Sequence, residues 1–167
     1  MDMKKIKVPD FKDPSTICVL AGSVLMLLAS FLPQYKATVS LWGMSESETW
    51  NLMGNYRHQG IFLLILAIAT VVILLLDLDK EKFLSGALGA SAAFGLWGII
   101  DVIRVMAADK KDIKDSGMGD MASVSFQFGF FVLILGVIAV AGAIVLTTMN
   151  AKKAAPAQPQ APQLPQA

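Results

Sequence analysis

Thiols and imidazoles are nearly absent from this chain. Its 167 residues include one cysteine, Cys18, and one histidine, His58. One cysteine excludes an internal disulfide framework, a multi-cysteine metal site and Cys-x-x-Cys redox chemistry. One histidine, beside Arg57 in a polar stretch, excludes a haem held by intramembrane histidines and a Ser–His pair for hydrolysis inside a bilayer. Charge is scarce as well. Asp, Glu, Lys and Arg make up 16% of the residues, where a soluble domain carries about 25%. The formal net charge of +1 offers no bulk basic field, so nucleic acid is not an expected partner. No catalytic constellation can be assembled from what remains, and the sequence predicts a protein without enzymatic activity and without a cofactor.

What is abundant is apolar. Such residues reach 55% of the chain, and the mean hydropathy is +0.61. They gather into four blocks, at 17–32, 60–76, 83–106 and 124–149, each long enough to cross a bilayer. The first block follows Asp13-Pro14-Ser15-Thr16, a capping side chain with proline in the first turn, and is closed by Pro33. Ser30-Phe31-Leu32-Pro33 is a poor small-residue cleavage site, so the block reads as a retained span rather than a removed signal. The predicted fold is all-α and integral to a membrane. It is a left-handed four-helix transmembrane bundle with spans at about 16–33, 60–76, 83–106 and 124–149. Outer loops follow at 34–59 and 107–123, with an N-terminal segment at 1–14 and a tail at 151–167. Eight of the Lys and Arg fall on the side of the termini and six on the other. That bias places both termini in the cytoplasm and the protein in a plasma (inner) membrane.

Helices in lipid associate by close backbone approach, so small residues mark the contacts. Ten of the fourteen residues at 85–98 are Gly, Ala or Ser. The third helix, with Gly86, Gly89, Gly95 and Gly98, is therefore expected at the centre. Gly129, Gly136 and Ala143 repeat every seven residues in the fourth block, as do Gly22 and Ala29 in the first. This spacing suits a near-parallel crossing. An open docking face for another membrane protein is the alternative use of such a stripe. The second block, nearly all Leu, Ile and Val, is expected to face lipid.

The first outer segment alternates at 36–42, offers a turn at Gly43-Met44 and can return at 45–52, which predicts a small extracytoplasmic β-hairpin. Trp42, Trp50 and Tyr35 read as interfacial anchors or as a recognition patch for a partner. The second loop, with Asp112, Asp115 and Asp120 among lysines, reads as a solvated turn rather than a calcium loop. Asp101 and Arg104, three apart near the outer end of the third span, are the one ionisable pair in a span. They read as an interfacial ion pair or as a gate. Cys18 reads as a buried thiol or a lipidation site. In the tail, Pro156, Pro159, Pro162 and Pro165 are three apart and would share one edge of a polyproline II helix. That edge is a partner-binding motif or a stiff spacer.

The order of features is a basic start, a helix ending in SFLP, a hairpin containing SLWG, two helices joined by a charged turn, and a last helix entered by FQFGFF. In this the chain resembles small uncharacterised bacterial four-span membrane proteins. Its layout is similar to that of claudin-like tetraspans, without the cysteine motif. The resemblance implies architecture, with scaffolding or partner binding as the function. The sequence thus predicts a scaffold or accessory subunit that contacts lipid and a protein partner or a second copy. The alternative is a small homo-oligomeric channel or transporter with Asp101 and Arg104 near its outer mouth.

Overall fold

Asp13 sets the start of the first helix, α1 (Pro14–Phe31). Its carboxylate accepts from the Ser15 backbone N–H at 3.2 Å, from the Ser15 hydroxyl and, at 3.2 Å, from the Thr16 hydroxyl. These bonds, the Ser15 hydroxyl first among them, hold the carboxyl below the usual carboxylate range. In the computed structural model, residues 12–42, 44–54, 59–75, 80–119 and 121–154 are described, with the backbone alone at 80–82 and 151–154. Most of the expected N-terminal segment, Arg57, His58, Asp120 and the prolines of the tail lie outside the described residues.

After α1 come β1 (Pro33–Leu41), β2 (Met44–Asn51), α2 (Gln59–Leu75), α3 (Lys80–Asp115), β3 (Ala122–Phe126) and α4 (Phe128–Ala154). Three helices are long and apolar enough to cross a membrane: α1, α3 over Phe83–Asp115 and α4 over Phe128–Asn150. Helix α2 is apolar but shorter, at 17 residues. The helices form a ring in which α1 and α3 each pack on both α2 and α4. The α1–α4 pair is the most extensive of these contacts. The third helix is therefore not the central one its composition suggests. Its Gly86 and Gly89 are exposed and open, with nothing near an added Cβ, so they are not packing positions. Small residues permit close approach without requiring it.

The seven-residue glycine repeat does mark a seam. A Cβ on Gly22 would lie 2.8 Å from Val140 Cγ2, one on Gly136 3.1 Å from Met26 Cγ, and one on Gly129 2.5 Å from the Pro33 carbonyl oxygen. These pairs fix an antiparallel register of residues 22–33 against residues 129–140, and Ala29 and Ala143 are fully buried beside it. Gly95 admits Met26 and Val137, and Gly98 admits Leu133 and Leu52. Large apolar side chains cover the outside of every helix, among them Leu28, Ile65, Ile100 and Leu135. On α2, Ile61, Phe62, Ile65, Ile68 and Val72 all face outward, as expected for the second block.

The expected hairpin is present, but three element boundaries differ from expectation. Residues 122–126, placed by the sequence reading partly in the second loop and partly in the fourth span, form a third strand, giving the antiparallel order β2-β1-β3. Helix α4 therefore begins at Phe128. Helix α3 does not stop at 106 but runs 36 residues to Asp115, about 54 Å. The charge at 107–115 predicts a loop, yet Ala107, Ala108 and the three lysines of the stretch are good helix formers. The helix ends where Ser116 N–H donates to the Asp112 carbonyl and Gly117 takes φ 73°. Helix α4 also continues to Ala154, so the first four residues of the expected tail are helical.

Two expected outcomes follow from this packing. Gly129→Ala destabilises the protein by roughly 1–3 kcal/mol, because the obstacle is backbone and cannot rotate away. Gly86→Ala and Gly89→Ala leave the melting temperature in detergent unchanged or raise it slightly. For Asp13, a carboxyl lowered in the folded state stabilises it above the usual carboxylate range, and the contribution is lost as pH falls through the lowered value. Protection of the Ser15 and Thr16 amides, taken relative to their intrinsic exchange at each pH, is therefore expected to fall on acidification in the wild type, and to be already low and flat with pH in Asp13→Ala.

Candidate functional site

The site is built on the consequence of one proline. In an α-helix the carbonyl of Ala29 would accept from the N–H four residues on, but Pro33 has none. The preceding carbonyl, of Leu28, takes Leu32 N–H at 3.1 Å. The Gln34 side chain supplies the missing donor, its Nε2 reaching the Ala29 carbonyl at 2.7 Å and the Leu32 carbonyl at 3.1 Å. Gln34 can turn inward because it is an extra residue in β1. Pro33 lies opposite Asn51 and Tyr35 opposite Trp50, with a register shift between them. The bulge breaks strand alternation, so Gln34 and Tyr35 are both buried, at 1% and 3% exposed. With both Nε2 bonds directed at carbonyls, the amide orientation is fixed, and Oε1 is left buried with no partner among the described residues.

Below the sheet and against α2 and α3 lies a cavity of about 390 Å³. Gln34, Tyr35 and Trp50 form its wall on the sheet side, and Gln59 and Asp101 its polar end. Leu52, Val102 and Val105 complete an apolar lining. Tyr35 and Trp50 are stacked, with ring centroids 5.7 Å apart and planes 10° from parallel. Gln59 Nε2, at the start of α2, donates to Asp101 Oδ2 at 3.1 Å. The Asp101–Arg104 ion pair read from the sequence is thus not the contact described here. Asp101 is half-buried and turned to α2, while Arg104, three residues further round the helix, is exposed. The cavity floor is pinned by the loop after β2. The Leu52 carbonyl accepts from Gly60 N–H at 2.9 Å, and the Leu52 side chain is buried in the bundle core.

The three aromatics grouped by the sequence separate. Tyr35 and Trp50 belong to the cavity, and Tyr35 is too buried to serve as a partner-binding surface. Trp42 stands alone at the hairpin tip, 97% exposed, between Leu41 and Met44, which are exposed too. Leu41 pairs with Met44, so Met44 belongs to β2 and not to the turn, one residue away from the expected Gly43-Met44. Trp42 takes φ 54°, the left-handed region, which is uncommon for a bulky residue.

The sequence reading passed over Gln34, Gln59 and Asn51, the amides around the cavity. A signal for the first was present: an amide directly after a helix-ending proline, within reach of the carbonyl that proline orphans. Comparison with family models, curated proteins and solved structures finds no match to the chain. Gln34→Leu is expected to cost roughly 1–3 kcal/mol, because it orphans two carbonyls. Thermal unfolding in detergent, with Gln127→Leu as a control of similar chemistry outside the cavity, measures it.

Proposed function

We propose that the chain is a multi-pass plasma-membrane protein whose four helices all span, with both termini cytoplasmic, acting as a non-enzymatic scaffold or accessory subunit. The apolar side chains on the outside of every helix support the membrane reading, since a patch of that extent is not sustained in water. Helix α2, about 26 Å long, is packed between α1 and α3 and completes the left-handed four-span bundle of this reading.

The observation that carries the scaffold reading is Trp42. Roughly 20 residues of α3 cross the hydrocarbon core, which leaves its last turns, around Lys110 and Lys114, outside. Those turns border a groove shared with Ala122 and Val124 of β3. Strand β3 then pairs with β1, with Val39 opposite Ala122. On this reading the sheet stands beside the part of α3 that has left the bilayer, and its tip lies away from the lipid. An aromatic held there is poorly placed for a headgroup-level anchor. It suits recognition of a partner protein, as a large rigid side chain flanked by Leu41 and Met44.

Fold and recognition make opposite demands on this residue. An L-residue in the left-handed region costs about 1–2 kcal/mol, and Asn before Gly is the favoured pair for a two-residue hairpin turn. Trp42→Asn is expected to leave the melting temperature unchanged or raise it. A photo-cross-linker at Met44 in native membranes is expected to give one discrete protein adduct, which Trp42→Asn reduces by roughly tenfold or more. An adduct untouched by Trp42→Asn, or adducts with lipid alone, would overturn the reading.

A further inference from the structure

We propose that the cavity beneath the sheet binds a primary ammonium group carried on an apolar or lipid scaffold. Among its polar groups are three acceptors. Asp101 offers a carboxylate that can only accept. Gln34 lines the same cavity with an amide whose two donor bonds are already committed to the Ala29 and Leu32 carbonyls. Its Oε1 is buried with no partner among the described residues, a state that costs free energy until a donor arrives. Asn51 Oδ1 accepts from Gly54 N–H at 2.7 Å, so this loop presents another carbonyl-type oxygen. The stacked Tyr35 and Trp50 rings supply an aromatic wall of the kind that attracts cations.

A carboxylate, an unmet amide oxygen and an aromatic wall select a cation that carries N–H donors. A quaternary ammonium has none. The remaining lining, Leu52, Val102 and Val105, suits a short apolar stem. About 390 Å³ lies within the range of small-ligand pockets, roughly 300–1,000 Å³. Asp101 follows Phe83 by eighteen residues, about 27 Å along the helix. On the four-span reading that is outer headgroup level, where an ethanolamine-type lipid could supply the amine. Only this choice of source rests on that reading, and a free alkylamine has the same chemistry.

The test uses the full chain in two settings. In nanodiscs of equal phosphatidylethanolamine, phosphatidylcholine and phosphatidylglycerol, the lipid retained after extraction is identified by native mass spectrometry. In nanodiscs of phosphatidylcholine alone, hexylammonium is titrated and the melting temperature followed. The expected result is preferential retention of phosphatidylethanolamine, or a saturable rise in melting temperature with hexylammonium. Asp101→Asn, which keeps the size and an acceptor for Gln59, reduces either by roughly tenfold. Trp50→Leu does the same and decides the matter if Asp101→Asn gives no cooperative melt. Retention without a hexylammonium effect assigns the lipid source. The converse assigns a free amine and leaves the site standing even if the four-span reading fails. Equal retention of phosphatidylcholine or preference for phosphatidylglycerol, with no hexylammonium effect beside it, or binding unaffected by both substitutions, overturns the proposal.

Discussion

The structure depends on how closely α4 crosses the end of α1. Gly129 sits where any Cβ would meet the Pro33 carbonyl oxygen at 2.5 Å and the Gln34 amide at 2.8 Å. That contact does more than join two helices. On one side of it Gly22, Met26 and Pro33 face Val140, Gly136 and Gly129. On the other, the Gln34 carbonyl accepts from Gln127 N–H at 2.9 Å and Tyr35 pairs with Phe126. The antiparallel register of the helix pair passes almost unchanged into the register of the strand pair. One alignment thus positions α1 on α4 and β1 on β3, and β2 follows from the hairpin. The stack of Phe126 on Phe130, centroids 4.3 Å apart, fastens the same corner from the other side.

Polar groups sort along this axis. Within the helices, hydroxyls return to their own backbone: Ser30 to the Met26 carbonyl, Thr70 to Leu66, Thr147 to Ala143 and Thr148 to Ile144. Such bonds satisfy the group locally and leave nothing to read as a site. Ser91, buried with no partner for its hydroxyl among the described residues, departs from the pattern. At the junction the bonds join one element to another. Gln34 reaches back to α1, and Gln59 reaches Asp101 across 42 residues of sequence. The change coincides with the place where helix gives way to strand. Backbone groups there lose their regular partners, so side chains must replace them, and the cavity lies among those side chains.

How much of this was legible depended on the range of the interaction. The helices were, because apolar runs and the Asp13 cap are local signals. The seam was legible too, since a seven-residue repeat on two blocks is a pattern a single sequence can show. The hairpin followed from alternation and from β-branched residues, though its turn was off by one because a tryptophan with positive φ contradicts local preference. Strand β3 was missed although Ala122–Phe126 alternates, because it abuts an apolar run and was absorbed into it. The end of α3 is not legible from charge, which points to a loop, whereas the helix propensity of Ala107, Ala108 and the lysines points the other way. Gln34 was out of reach by periodicity alone. Its burial comes from a bulge, and a bulge is a relation between two strands rather than a property of one.

A tight junction and an exposed tip are consequences of each other. The base of the hairpin is committed on both faces, to α1 and α4 through Gln34 and to the cavity through Tyr35 and Trp50. Little freedom is left there for recognition. Strand β2, an edge strand, carries Glu46 and Glu48 on an exposed surface, which discourages pairing with another strand. What remains is the turn, where Trp42 occupies a conformation that a smaller residue would adopt at lower cost. Strain of that kind persists only when the surrounding structure over-determines it. Here β1 is held by two neighbouring strands and a helix junction, so the turn cannot relax by sliding the register. The rigidity that begins at Gly129 is therefore what holds the backbone beneath a bulky, solvent-facing side chain in one conformation some seven residues away from Tyr35.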